Sequence, residues 1–573
     1  MSFSPSRIRQ FAAQPALWCA VAVGVCMLAA GPSLEMGFND DFSYIYTAKM
    51  MASTGHIVYN GWATAMLGWQ IYLGALFIKL FGFSFTAVRA SIWLVGMATA
   101  ALMQRLFVRL GLNEWNATLA ALTIALSPLL LPLTFSFMTD ASGFLAYLLC
   151  VYGCVRAVQA GSDKTAIGWL IFAAASNSVG GTARQIAWLG ALVLVPSTAW
   201  VIRRRRGALA AGAILWIAST VFIFGVMQWF KRQPYSISED LISGFHPASR
   251  KYVAILLFAF PILISFLARY PIRKRWARIW GGAAIAALIL AGCGAAALWH
   301  RGFSRVAPFL LAPFSDEWIT ARGLDITVLP GHRPDVLSMP FRIALTLLIL
   351  LAFFALLVCA LNASRLEKPP SAVNEEQISN QTLLILLGPV TAAYLLVLMT
   401  HGTFFERYFL QLLFPFLVLL VRFYQGRIAS RLSAWSVVFV VLFAAYGVAT
   451  LHDMLAAHKA RLAAVNQLRS AGVLRNQIRA GVEYDGWTQI EIEGHLNEPR
   501  IRIPANTYRL PPPSPLPPAC RYWFDGWTPA IQGRYELSYS PSPCLPESEF
   551  PPLEYTTWLA PRHQRIYILK LPQ

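Results

Sequence analysis

The sequence has no GxGxxG, no P-loop, no CxxC pair and no internal repeat, and it carries little charge. Asp, Glu, Lys and Arg supply 13% of its 573 residues, about half the share usual in soluble domains. The missing glycine loops exclude the two commonest phosphate-cradling nucleotide motifs. The missing Cys/His spacing excludes a zinc site of the usual kind. With 57% hydrophobic residues and a mean hydropathy of +0.53, a soluble globular protein is excluded as well.

What the sequence does have is a series of apolar runs, each near the ~20 residues that cross a bilayer as a helix. They predict spans at 15–34, 85–104, 116–136, 139–159, 166–180, 184–202, 207–230, 251–268, 279–299, 341–361, 381–400, 404–424 and 432–450. The fold class is therefore a polytopic α-helical membrane protein with about 13 transmembrane helices. The first run follows Arg7 and Arg9 and contains Ala29-Ala30-Gly31, as a signal peptide would, but its length and the spans after it favour a first membrane helix.

The net charge of +20 invites a nucleic-acid reading, yet Lys and Arg gather in short loops between the runs. Arg105/Arg109, Arg156/Lys164, Arg203–Arg206, the cluster at 269–278, Arg365/Lys368 and Arg427/Arg431 all fall on the side of Arg7 and Arg9. This is a positive-inside pattern, and no nucleic acid is needed to explain it. It holds only if 66–81 does not cross, so that segment is expected to lie in the outer interface.

The result is a membrane domain, 1–450, with a first outer loop at 35–84, and an extracytoplasmic tail, 451–573. The tail opens with an amphipathic stretch and continues with alternating runs (TQIEIEG, YELSYS, RIYILKL) around PPPSPLPP, which predicts a small α/β domain. Six cysteines lie in apolar runs; Cys520 and Cys544 lie in the tail, where an oxidising compartment would pair them.

The residues suited to chemistry gather on the outer side. Asp40 and Asp41, in FNDDFSYIY, follow the first span; they cap a helix, or they form a pair in which one carboxylate accepts a proton while the other orients it or holds a divalent cation. Asp140, in FMTDASGF, is open to the same two explanations, a cap or a site carboxylate. Arg184 and Arg407 oppose the positive-inside pattern at span ends, where they pair with headgroups or Glu406, or bind a lipid phosphate. Arg301, Arg305, Arg322 and Arg333 are weaker candidates of that kind; His401, His452 and His458 lack metal-ligand spacing.

This order of features resembles the GT-C superfamily of polyprenyl-phosphate-sugar-dependent glycosyltransferases, in particular the branch with protein O-mannosyltransferases and lipid A aminoarabinose transferases. The resemblance covers roughly 35–200 well and 400–450 moderately. Its acidic pair and following Tyr correspond to Asp40, Asp41 and Tyr44, its second-loop Asp to Asp140, and its late Arg-Tyr before a proline to Arg407, Tyr408 and Pro415. Asp41 stands where that branch usually has a glutamate. The resemblance implies a bacterial inner-membrane enzyme with a cytoplasmic N-terminus and a periplasmic tail. It also implies a polyprenyl-phosphate sugar donor, contact with membrane lipids and an extracytoplasmic acceptor. Asp40 would be the base, with Arg184 and Arg407 on the donor phosphate. A flippase of lipid-linked glycans and a non-catalytic scaffold are the alternatives. Flippases tend to carry mid-span ionisable residues and paired repeats, which are scarce here.

Overall fold

The structure is a computed structural model that describes residues 14–62, 65–238, 244, 254–269, 318–324, 328–361, 378–400, 405–511 and 516–572. The expected span 279–299, Arg301, Arg305 and His401 lie outside the described residues.

The described chain is mostly helical. Seven of its described helices are long and apolar enough to cross a membrane: Phe85–Arg109, Thr139–Val158, Arg206–Lys231, Met339–Leu361, Asn380–Thr400, Glu406–Arg427 and Ala434–Ser470. Shorter apolar helices occupy Pro15–Ala29, Gly68–Phe81, Gln185–Val201 and Ala254–Arg269. Helix starts follow the sequence closely. Ser84, Asn113 and Ser162 each accept a backbone amide of the first turn, as short polar side chains at that position do. Gly68–Phe81 has 14 residues, which is about 21 Å of helix, short of the ~30 Å hydrocarbon core.

Two expected spans are broken, and both breaks matter. The run 116–136 divides into Glu114–Ala125 and Leu130–Phe135, followed by extended backbone from Ser136. The extended stretch frees Phe137 for other partners: its amide donates to Asp41 Oδ2 (3.2 Å) and its carbonyl accepts from Gln70 (2.7 Å). The run 184–202 is a 3-10 turn (Gln185–Trp188), a π turn (Gly190–Leu194) and a short α-helix (Val195–Val201). Its hydrogen-bond ladder is interrupted by Asn177, whose side chain donates to Ala187 O and accepts from Ala191 N, and by Pro196, which has no amide hydrogen.

The expected boundary at 450 is not a break in the chain. The helix Ala434–Ser470 runs through it, so the fall in hydropathy marks a change of surroundings along one continuous helix. Beyond it the tail builds a four-stranded sheet in the order 478–479, 535–538, 563–570, 553–556, beside the helix Val482–Glu493. Cys520 and Cys544 are joined by a disulfide, with Cα atoms 6.1 Å apart. The helix Val482–Glu493 lies on the helix Asp41–Thr54. Gly486 permits this contact, since a Cβ there would come within 2.5 Å of the Phe42 ring.

Candidate functional site

The two adjacent aspartates part company. Asp41 is fully buried and saturated: Arg89 donates Nε to Oδ2 (2.8 Å) and Nη2 to Oδ1 (3.1 Å), while the amides of Phe38 and Phe137 donate one bond to each oxygen. Arg89 also reaches the carbonyls of Leu34 (2.7 Å) and Met36 (2.6 Å). This forked, fully desolvated pair ties the segment after the helix Pro15–Ala29 to the first turns of the helix Phe85–Arg109. A cation shared by Asp40 and Asp41 does not fit this donor set, because binding it would require displacing the guanidinium.

Asp40 is half-buried and faces elsewhere. It stands before the first turn of Asp41–Thr54 without capping it through its side chain; instead Oδ1 accepts from Trp62 Nε1 at 2.9 Å. Burial pushes the Asp40 carboxyl above the usual range, Arg407 and the Trp62 hydrogen bond pull it back in part, and the charges of Asp140 and Glu483 raise it further. The carboxylate is thereby made a better proton acceptor.

Asp140 does not cap its helix either; Met138 occupies the cap position and Asp140 lies in the first turn of Thr139–Val158. Its carboxylate is the meeting point of the two arginines that the sequence set 223 residues apart, at 184 and 407. Arg184 Nη2 is 3.1 Å from Oδ1 and Arg407 Nε is 4.0 Å from the same oxygen. Arg184 reaches it by crossing the helix at Gly143, where a Cβ would come within 2.7 Å of Arg184 Cβ. Tyr408 packs under both guanidinium groups, with its ring centre 5.1 Å from Arg184 and 5.9 Å from Arg407. Tyr44 is buried and senses all four charges, those of Asp40, Arg407, Arg184 and Asp140; burial keeps its hydroxyl well above the usual range.

The geometry therefore joins Asp40, Tyr44, Asp140, Arg184, Arg407 and Tyr408 into one electrostatic cluster and sets Asp41 to a positioning task. In that cluster one carboxylate faces two guanidinium groups. Of the weaker candidates, Arg322 lies 3.7 Å from Asp335, and Arg333 is directed at Leu324, Met454 and Tyr539.

Sequence reasoning missed the residues that hold Asp40 in place. Glu483, from GVEYDGW in the tail, is fully buried and accepts the backbone amide of Asn39 (3.1 Å); Arg461 Nη2 donates to it (2.9 Å) and His458 Nε2 lies 3.1 Å away. Burial alone would raise the Glu483 carboxyl, but the Arg461 charge and the His458 hydrogen bond hold it at about 2. On the other flank, Trp62 stands edge-on to Phe524 (5.4 Å) and Trp527 (5.3 Å), both from the tail. Arg89 was legible as a charge within an apolar run, which is rare without a buried partner. Among the described residues no group of three or more His, Cys, Asp or Glu is placed to hold a metal ion.

No family model matches the chain, and no curated protein does. Solved structures do. ArnT from Cupriavidus metallidurans bound to undecaprenyl phosphate is 15% identical with a TM-score of 0.38, over 81% of this chain and 82% of that one. The archaeal oligosaccharyltransferase AglB from Archaeoglobus fulgidus, in complex with an inhibitory peptide and a dolichol-phosphate, is 13% identical with a TM-score of 0.41, over 90% of this chain and 63% of that one. The arabinosyltransferase EmbB from Mycobacterium smegmatis is 14% identical with a TM-score of 0.34, over 82% and 44%. All three likenesses stand at 15% identity or less and at TM-scores of 0.41 or less. At these values the likeness carries no conclusion about what this chain does.

Proposed function

We propose that this chain is a membrane glycosyltransferase that moves a sugar from a polyprenyl-phosphate donor to an acceptor outside the cytoplasm. One observation carries the reading: Arg184 and Arg407 converge on the single carboxylate of Asp140, in the cluster that contains Asp40. A lipid phosphate is the anion that suits two guanidinium groups at the ends of membrane helices.

The chemistry follows from the arrangement. The acceptor hydroxyl attacks the anomeric carbon as the bond from that carbon to the phosphate oxygen breaks. Asp40, made more basic by its surroundings, takes the hydroxyl proton. The departing phosphate keeps the bonding electrons, and Arg184 and Arg407 meet its charge. A single displacement of this kind inverts the anomeric centre. Asp41 holds Asp40 at the end of its helix through Arg89. The reading assigns no cation to the acidic pair, since Arg89 already neutralises Asp41.

This reading also puts the chain in a bacterial inner membrane with about 13 crossings, the N-terminus in the cytoplasm and the tail in the periplasm. The test is a transfer assay on Asp40→Asn. The variant keeps the shape of Asp40 and its bond from Trp62 but cannot accept the proton. A loss of about 10²–10⁴-fold in turnover is expected. Full transfer by a folded Asp40→Asn protein would remove the base assignment.

A further inference from the structure

The loop 328–338 and the tail line a half-open cavity of about 360 Å³ that the transfer reading leaves unused. Its walls are fixed. Pro330 O accepts from Tyr539 N (3.0 Å) and Ser538 Oγ (3.1 Å), and Val328 O accepts from Val482 N (3.2 Å) and Tyr522 Oη (2.7 Å). The volume sits at the lower end of the roughly 300–1,000 Å³ found for small-molecule sites.

The charge inside it is unbalanced. Arg565 lines the cavity but is neutralised by Glu554, 2.7 Å away. Arg333 also lines it and is 6% exposed. It donates Nη1 to Leu324 O (2.7 Å) and faces the Tyr539 ring at 5.7 Å, yet its Nε has no hydrogen-bond partner and no carboxylate among the described residues pairs with it. A buried guanidinium without a counter-charge is disfavoured unless an anion completes it. The remaining wall offers the half-buried Tyr567 ring and the His563 rim, surfaces on which a sugar ring packs.

We propose that this cavity binds a sugar bearing one carboxylate, with the carboxylate on Arg333 and the ring against Tyr567. A single negative charge matches the one net positive charge of the lining, whereas a phosphate dianion would exceed it. Only the ligand's role rests on the transfer reading: there, the sugar is one part of the acceptor, held by the tail while a hydroxyl elsewhere on the acceptor reaches Asp40.

The test is isothermal titration of the full detergent-purified chain with D-glucuronate, D-glucose and inorganic phosphate. Glucose isolates the ring, and phosphate isolates the charge. Saturable glucuronate binding, about tenfold or more tighter than either control, is expected. Arg333→Gln should lose that advantage and Tyr567→Ala should weaken binding several-fold; the second variant serves if the first fails to fold. Asp40→Asn should bind as the wild type does, so that failure of the transfer reading leaves this result standing. The proposal is overturned by a folded wild type that does not bind glucuronate, by equal affinity for either control, or by binding indifferent to both cavity variants.

Discussion

Glu483 accepts the backbone amide of Asn39 across 444 residues of sequence, which ties the tail to the residue immediately before Asp40. The bond is anchored from behind by Arg461 and His458, both buried on the helix that leaves the membrane domain. The tail is thus a structural component of the site.

Glu483→Gln keeps the acceptor oxygen but removes the charge. Turnover is expected to fall by about tenfold, the scale of one weakened charge-assisted hydrogen bond. Because the Glu483 charge raises the Asp40 carboxyl, the acid limb of the rate profile should also move to lower pH. A pH–rate series measures both. A slower variant with an unmoved limb would mean that Glu483 acts only as scaffold.

Trp62→Phe should move the same limb the other way. The ring contacts with Phe524 and Trp527 survive, but the donor to Asp40 is lost, and that donor holds the carboxyl down. The limb should rise in pH. Opposite displacements in the two variants would identify Asp40 as the titrating group.

Arg89→Ala should destabilise the protein by about 3–5 kcal/mol, since it leaves the buried Asp41 charge unpaired. Lys should not rescue it, because one ammonium cannot replace a fork that also reaches the carbonyls of Leu34 and Met36. Thermal unfolding in detergent reads both variants.

Asp485 gives the tail a pH dependence of known sign. Burial pushes its carboxyl up to about 8, although the Ala480 amide and the charges of Arg479 and Arg461 oppose the shift. A carboxyl raised above its unfolded value near 4 favours folding most below that value, and the contribution is lost as pH climbs through about 8. Asp485→Asn should therefore gain unfolding temperature over the wild type at pH 9 relative to pH 5. An equal difference at both would refute the burial account.

Transfer should persist in the presence of a chelator. The oxygens of Asp41 are occupied by two nitrogens of Arg89 and two amides, so the acidic pair has no place for a divalent ion between its members. Loss of activity in EDTA, restored by magnesium or manganese, would contradict this.

Much of this was legible in the sequence, for reasons that differ by residue. The helices follow from long apolar runs, and Ser84, Asn113 and Ser162 mark their starts. Asp40, Asp140, Arg184 and Arg407 stood out as charges at span ends, where burial requires a partner. Their convergence was not legible, because it depends on two irregular segments that read as uniform apolar runs. One is opened by Asn177 and Pro196, and the other releases Phe137 to Asp41. The division of labour within the acidic pair was hidden too, since only the position of Arg89 in space decides which aspartate is neutralised. The role of Glu483 was out of reach, because nothing in a soluble-looking tail announces a bond to a loop 444 residues away.

The most direct test of the central claim is native mass spectrometry of the detergent-purified protein, with Arg184→Ala and Arg407→Ala beside it. The account predicts a co-purified polyprenyl phosphate, or its glycosylated form, on the wild type and its loss from both folded variants. A wild type that carries no such lipid even after it is supplied, or binding indifferent to both arginines, would contradict it.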